Sequence, residues 1–84
     1  MKNKILVEII VPDIDQSYEV FIPINRKVGS VIELLNRAIL ELSDGIFKGD
    51  NKTCLYDKET NLQLDINKTI AESKIKNGAT LVLF

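Results

Sequence analysis

The longest amphipathic stretch of the chain runs from Val31 to Leu42, V-I-E-L-L-N-R-A-I-L-E-L. Val31, Leu34, Leu35, Ala38, Ile39 and Leu42 recur at the spacing of one helical face, while Glu33, Asn36, Arg37 and Glu41 fill the other side. Burying the five larger apolar residues is worth roughly 1.5–3 kcal/mol each. The rest of the chain must therefore present a surface to receive this face. Ser30 and Glu33 have capping-box spacing, with Val28 as an alternative, earlier start. Gly45, after Ser43-Asp44, is placed to close the helix in a left-handed conformation.

No second segment has this period. Lys4–Val11 (K-I-L-V-E-I-I-V) is β-branched and almost continuously apolar, which suits a central strand. Turn residues from Pro12 to Ser17 lead into a second strand, Tyr18–Ile24, in which Pro23 marks an edge or an end. Ile46–Asn51 reads as a loop whose Ile46 and Phe47 tuck under the helix end. Lys52–Asp57 and Leu62–Leu64 read as short strands about the turn Lys58–Asn61. Ile70 and Ile75 flank a single turn, Asn77-Gly78 reverses the chain, and Thr80–Phe84 closes it as another apolar strand. The first and last strands are the most apolar, so they should lie adjacent at the centre of a mixed sheet. One helix then covers one side. The predicted fold is α+β, a β-grasp.

With 84 residues, the chain is expected to form one domain, small but able to build a core. The hydrophobic fraction of 45% and charged fraction of 27% are those of an ordinary globular protein. A net charge of −1 gives no overall basic footprint for nucleic acid. No apolar run approaches the ~18 residues of a membrane span. Lysines precede the first apolar run, but Glu8 and Pro12 interrupt it and no small-residue cleavage site follows, so no leader is expected. With one cysteine and no leader, the expected compartment is the cytoplasm.

The closing segment T-I-A-E-S-K-I-K-N-G-A-T-L-V-L-F resembles the last turn and strand of ubiquitin, with Thr69, Ile70, Ile75, Thr80, Leu81 and Leu83 in matching places. The chain is also similar to the small bacterial YukD/EsaB group. That likeness is carried by the strand Y-E-V-F-I, the helix start at Val28, Val31 and Ile32, and the terminal Ile75, Asn77, Gly78, Leu81, Leu83 and Phe84. It covers nearly the whole chain, mostly at core and turn positions, and the loop Leu42–Lys52 departs from it. The resemblance implies a ubiquitin-like component of the type VII (WXG100) secretion system, cytoplasmic and accessory, that acts by binding a protein of that machinery. Conjugated modifiers and sulfur carriers share the β-grasp but need a flexible glycine-ended tail, which does not follow Phe84 here. A chain extending further would reopen that alternative, and a small-ligand-binding β-grasp domain is the other.

Catalysis is not expected. There is no histidine to act as general base. Cys54 has only Lys52 nearby to activate it and reads as a structural thiol pointing at the helix. Asp13, Asp15, Asp44, Asp50, Asp57 and Glu59 sit in turns without calcium-loop spacing, so neither a metal nor a cofactor is expected.

Strand alternation supplies the candidate binding site. Val7, Ile9, Val11, Tyr18, Val20, Ile22, Cys54, Tyr56, Leu81 and Leu83 are assigned to the helix side. Leu6, Ile10, Phe21, Leu55, Val82 and Phe84 are left on the far side, with Glu8 and Glu19. By the resemblance, Leu55 and Phe84 correspond to part of the hydrophobic patch through which ubiquitin is recognised. An apolar patch of this kind marks a docking face for a protein partner or a second copy of the chain.

Overall fold

A computed structural model describes residues 3–84; the lysine that follows Met1, part of the leader reading above, lies outside them. Five strands and one helix follow one another as β1 (Lys4–Val11), β2 (Gln16–Pro23), α1 (Val28–Leu42), β3 (Leu55–Asp57), β4 (Leu62–Gln63) and β5 (Thr80–Leu83). The strands form one sheet in the order β2-β1-β5-β3-β4. β1 and β5 are parallel, with Ile9 opposite Leu81, and the other pairings are antiparallel. This is the β-grasp arrangement, with the two most apolar strands at its centre.

Between β1 and β2 the chain turns through a short 3-10 segment, Pro12–Ile14. It is closed by the Asp15 N–H donating to the Pro12 carbonyl at 3.1 Å, with Asp15 left-handed at φ 53°. Pro23 ends β2, an edge strand, where its missing N–H costs no ladder bond.

The helix begins a turn earlier than Val31, and Ser30–Glu33 forms no capping box. Its first residue follows Lys27, which lends no side-chain cap. The orphan N–H groups of Val28 and Gly29 donate instead to the carbonyls of Lys68 (2.8 Å) and Ile66 (3.1 Å). Gly29 permits this approach, since a Cβ there would stand 3.3 Å from the Ile66 oxygen. The capping-box geometry is realised elsewhere. The Thr69 N–H donates to Glu72 Oε1 at 2.9 Å, and the Glu72 N–H donates to Thr69 Oγ1 at 3.1 Å. These bonds hold the turn that carries Ile70 into the core.

The buried helix face is Val28, Val31, Ile32, Leu35 and Ile39, packed against Val7, Ile9, Val11, Ile22, Leu81 and Leu83. Leu42, expected on this face, is 55% exposed. The helix ends in a turn with Gly45 at φ 83°, its N–H donating to the Leu40 carbonyl at 2.7 Å. Ser43 is buried, and its Oγ accepts the Phe47 N–H at 3.0 Å. Phe47 thereby enters the core, whereas Ile46, expected beside it, is 72% exposed.

One alternation is reversed. Leu55 lies opposite Leu83 and both are fully buried, so Leu55 faces the helix. Cys54 and Tyr56, assigned inward by the sequence pattern, have the opposite parity and are half-buried on the far side of the sheet. Cys54 exchanges two backbone hydrogen bonds with Phe84, at 2.7 and 3.1 Å, which extends the ladder one pair beyond the strands.

This parity has a stability signature. Leu55→Ala removes a fully buried side chain and is expected to cost about 2–5 kcal/mol. Cys54→Ala, outside the core, is expected to cost less than about 1 kcal/mol. Urea denaturation of the two variants checks the difference; similar costs would restore the inward reading of Cys54. The Thr69–Glu72 box has a pH signature. Hydrogen bonds from the Thr69 backbone and side chain hold the Glu72 carboxyl below its ordinary pKa, helped by Lys68 and Lys27. A lowered native pKa adds stability above the unfolded-state pKa, about 4.3, and that stability disappears as pH falls through the lower native value. Thermal melts between neutral pH and about pH 3 should therefore show the wild-type advantage over Glu72→Gln shrinking in acid.

Candidate functional site

With α1 on one side of the sheet, the other side is uncovered. Residues directly opposite in register point the same way, which allows this surface to be assembled row by row. Ser17, Ile10, Val82, Tyr56 and Gln63 form one continuous row across all five strands. Phe84 adjoins it at the end nearest the β1–β2 turn, with its ring stacked on Tyr56 at a centroid separation of 5.1 Å and an interplanar angle of 21°. Cys54 lies beside them; its thiol donates to the Lys52 carbonyl at 3.4 Å and accepts from Gln63 Nε2 at 3.3 Å.

The next row is polar. Glu19 stands opposite Glu8, and Glu8 stands opposite Thr80, whose hydroxyl donates to Glu8 Oε1 at 3.3 Å. Beyond this row Leu6 pairs with Phe21, which is 54% exposed. The six residues assigned to the far side are thus not a single patch. Ile10, Val82 and Phe84 gather with Tyr56 at one end, and Leu6 and Phe21 stand at the other behind two carboxylates. Leu55, assigned to this surface by strand alternation and by the likeness to ubiquitin, is buried in the core instead, and Tyr56 is the residue of β3 on the uncovered side.

The sequence held a signal for Tyr56. A phenol inside a core needs a partner for its hydroxyl, and leucine has no such requirement. A three-residue strand with one leucine between a cysteine and a tyrosine is best buried through the leucine.

Other concavities offer less chemistry. A groove of 730 Å³ between the β3–β4 turn and residues 73–79 carries Asp57, Glu59 and Asp65 together with Lys68, Lys74 and Lys76. Among the described residues no cluster of histidine, cysteine, aspartate or glutamate is arranged to hold a metal ion. No described helix is long and apolar enough to cross a membrane.

No protein-family model matches the sequence, and no curated protein matches it. Solved structures do. The EccD5 ubiquitin-like domain from Mycobacterium xenopi aligns with a TM-score of 0.77 at 18% identity, covering 96% of this chain and 92% of that one. The ubiquitin-like domain of the Mycobacterium tuberculosis type VII secretion system protein EccD1 aligns with a TM-score of 0.72 at 11% identity, covering 95% and 96%. A ubiquitin-like domain from Arabidopsis thaliana aligns with a TM-score of 0.71 at 21% identity, covering 98% and 77%. The fold is ubiquitin-like.

On this ubiquitin-like sheet the paired carboxylates stand out energetically. Like charges directly opposite each other on neighbouring strands are destabilising. Glu19→Lys converts repulsion from Glu8 into attraction and should stabilise the protein by about 0.5–1 kcal/mol at low ionic strength. Denaturant titrations at low and high salt check this: the gain should fade as salt rises, and its absence at low salt would show that the two carboxylates do not meet.

Proposed function

We propose that the chain is a protein-docking module of a bacterial type VII (WXG100) secretion apparatus, acting in the cytoplasm as an accessory component and by binding rather than by catalysis. The observation that carries this reading is the apolar cluster Ile10, Val82, Tyr56 and Phe84 on the uncovered side of a ubiquitin-like sheet. The antiparallel part of a sheet can remain wet on one side with polar residues alone, so the stacked rings of Tyr56 and Phe84 across β3 and β5 are not required by folding. Clustered apolar groups left outside a core are the usual mark of a contact surface.

Two likenesses support the secretion reading. The sequence resembles the YukD/EsaB group at its second strand, helix start and terminal strand. The structure resembles ubiquitin-like domains of EccD proteins, one of which belongs to a type VII secretion system. Fold alone hosts many functions, so the test must read secretion.

Tyr56→Asp and Val82→Lys place charge in the cluster without touching the core. Each variant, expressed in place of the native gene, should leave the melting temperature within a few degrees of wild type and abolish export of WXG100 proteins. Folded variants that export normally would remove the sheet face from consideration, and normal export from a strain lacking the gene would remove the secretion role.

A further inference from the structure

A second surface lies at the corner where the β1–β2 turn meets the C-terminal end of α1. It is a groove of 430 Å³ lined by Asp13, Ile14, Tyr18, Leu42, Asp44 and Ile46, with Gln16 and Ser43 completing it. Ile14 and Tyr18 pack partly against the core. Leu42, the last residue of α1, and Ile46, in the well-fixed turn after it, do not; they are 55% and 72% exposed. Hydrogen bonds from Gly45 to Leu40 and from Phe47 to Ser43 hold that turn. Phe47 anchors the segment, so folding makes no use of an isoleucine at position 46.

The charge around this groove has one sign. Asp13 and Asp44 line it, and among the described residues no lysine or arginine does. The helix end adds its own partial negative charge, and the last turn carries no basic residue to offset it. This placement is unfavourable for the isolated protein, since acidic groups at a helix C-terminus destabilise it. No metal-holding cluster exists among the described residues to make use of the carboxylates. A nucleic acid would be repelled. Exposed aliphatic side chains flanked by two aspartates and no lining cation are complementary to apolar residues interspersed with cations.

We propose that this groove docks a basic amphipathic segment of another protein, in which leucine-like residues cover Leu42 and Ile46 while lysine or arginine meets Asp13 and Asp44. The site is separate from the sheet face and does not depend on the secretion reading.

The partner's chemistry can be tested without knowing the partner. Random peptides displayed on phage are selected on the immobilised full chain, and the enriched peptides are synthesised and titrated into isotope-labelled protein. Peptides that shift the amide signals of Ile14, Leu42, Asp44 and Ile46 should combine apolar residues with lysine or arginine. Their affinity should fall about fivefold or more in the Asp13→Asn/Asp44→Asn double variant, weaken with added salt, and be lost in Leu42→Asp/Ile46→Asp. All four substituted side chains are outside the core, and a thermal melt confirms that each variant is folded. The proposal is overturned if no selected peptide reaches this corner, or if those that do are uncharged or acidic and bind the asparagine variant equally well. Self-association of the wild-type chain that disappears in the asparagine variant, measured by sedimentation, would also overturn it by making a second copy the occupant.

Discussion

Everything in this molecule depends on the parallel pairing of β1 with β5. Ile9 and Leu81 meet there with no exposed surface, and these strands are the most apolar segments of the chain. Parallel neighbours cannot be joined by a hairpin. The chain must therefore cross from β2 at one side of this pair to β3 at the other, and α1 makes that crossing over one side of the sheet. A single helix covers a single side. The uncovered face is thus a consequence of topology, and its composition is free to be set by something other than folding. That freedom makes the stacked rings of Tyr56 and Phe84 informative in a way that buried aromatic rings would not be.

The same crossover fixes where the helix starts. Val28 and Gly29 take their acceptors from the carbonyls of Lys68 and Ile66, so the helix entry is built by a segment distant in sequence. With the start set there, the buried positions run Val28, Val31, Ile32, Leu35 and Ile39, and the next turn presents Ser43 to the interior instead of Leu42. The Ser43 hydroxyl is satisfied by the Phe47 N–H, which brings Phe47 into the core below the helix end. Leu42 is left outside by this exchange. The apolar corner beside the β1–β2 turn therefore follows from how the helix is entered and left.

Much of this was legible in the sequence because long elements carry redundant signals. Eight residues of β1 and its hairpin partner establish the inward set Val7, Ile9, Val11 and Ile22 several times over. The central place of the first and last strands follows from their unbroken apolar runs. Where the signal was short, it failed. β3 has three residues, and C-L-Y can be read with either parity; only the register against Leu83 decides, and that is a tertiary fact. The S/T-x-x-E spacing occurs at Ser30–Glu33 and at Thr69–Glu72, yet only the second forms a box, because carbonyls from another loop already occupy the N–H groups at the helix start. The splitting of the far face by Glu8 and Glu19 was visible in principle, since both were assigned to that side. Their direct opposition required the hairpin register.

Net charge conceals how the charge is arranged. Lys27 and Lys68 stand by the start of α1, where Glu72 answers part of their field. Glu41, Asp44 and Asp13 stand by its end. The helix has no acidic residue in its first turn and no basic residue in its last. Charge placed with the opposite sense would complement the helix dipole, by roughly 0.3–1 kcal/mol for each favourable group. The arrangement found here adds to that dipole instead. Stability of α1 must then come from its buried face, and the electrostatic cost is tolerable because that face is so completely apolar. What such a distribution does provide is direction. A small protein with a negative corner and a positive shoulder is turned by the field of a charged partner before contact, which raises the productive fraction of encounters and selects against partners of the wrong sign. The whole-chain total of −1 shows nothing of this arrangement, because the two groups cancel in the sum while remaining at opposite ends of α1.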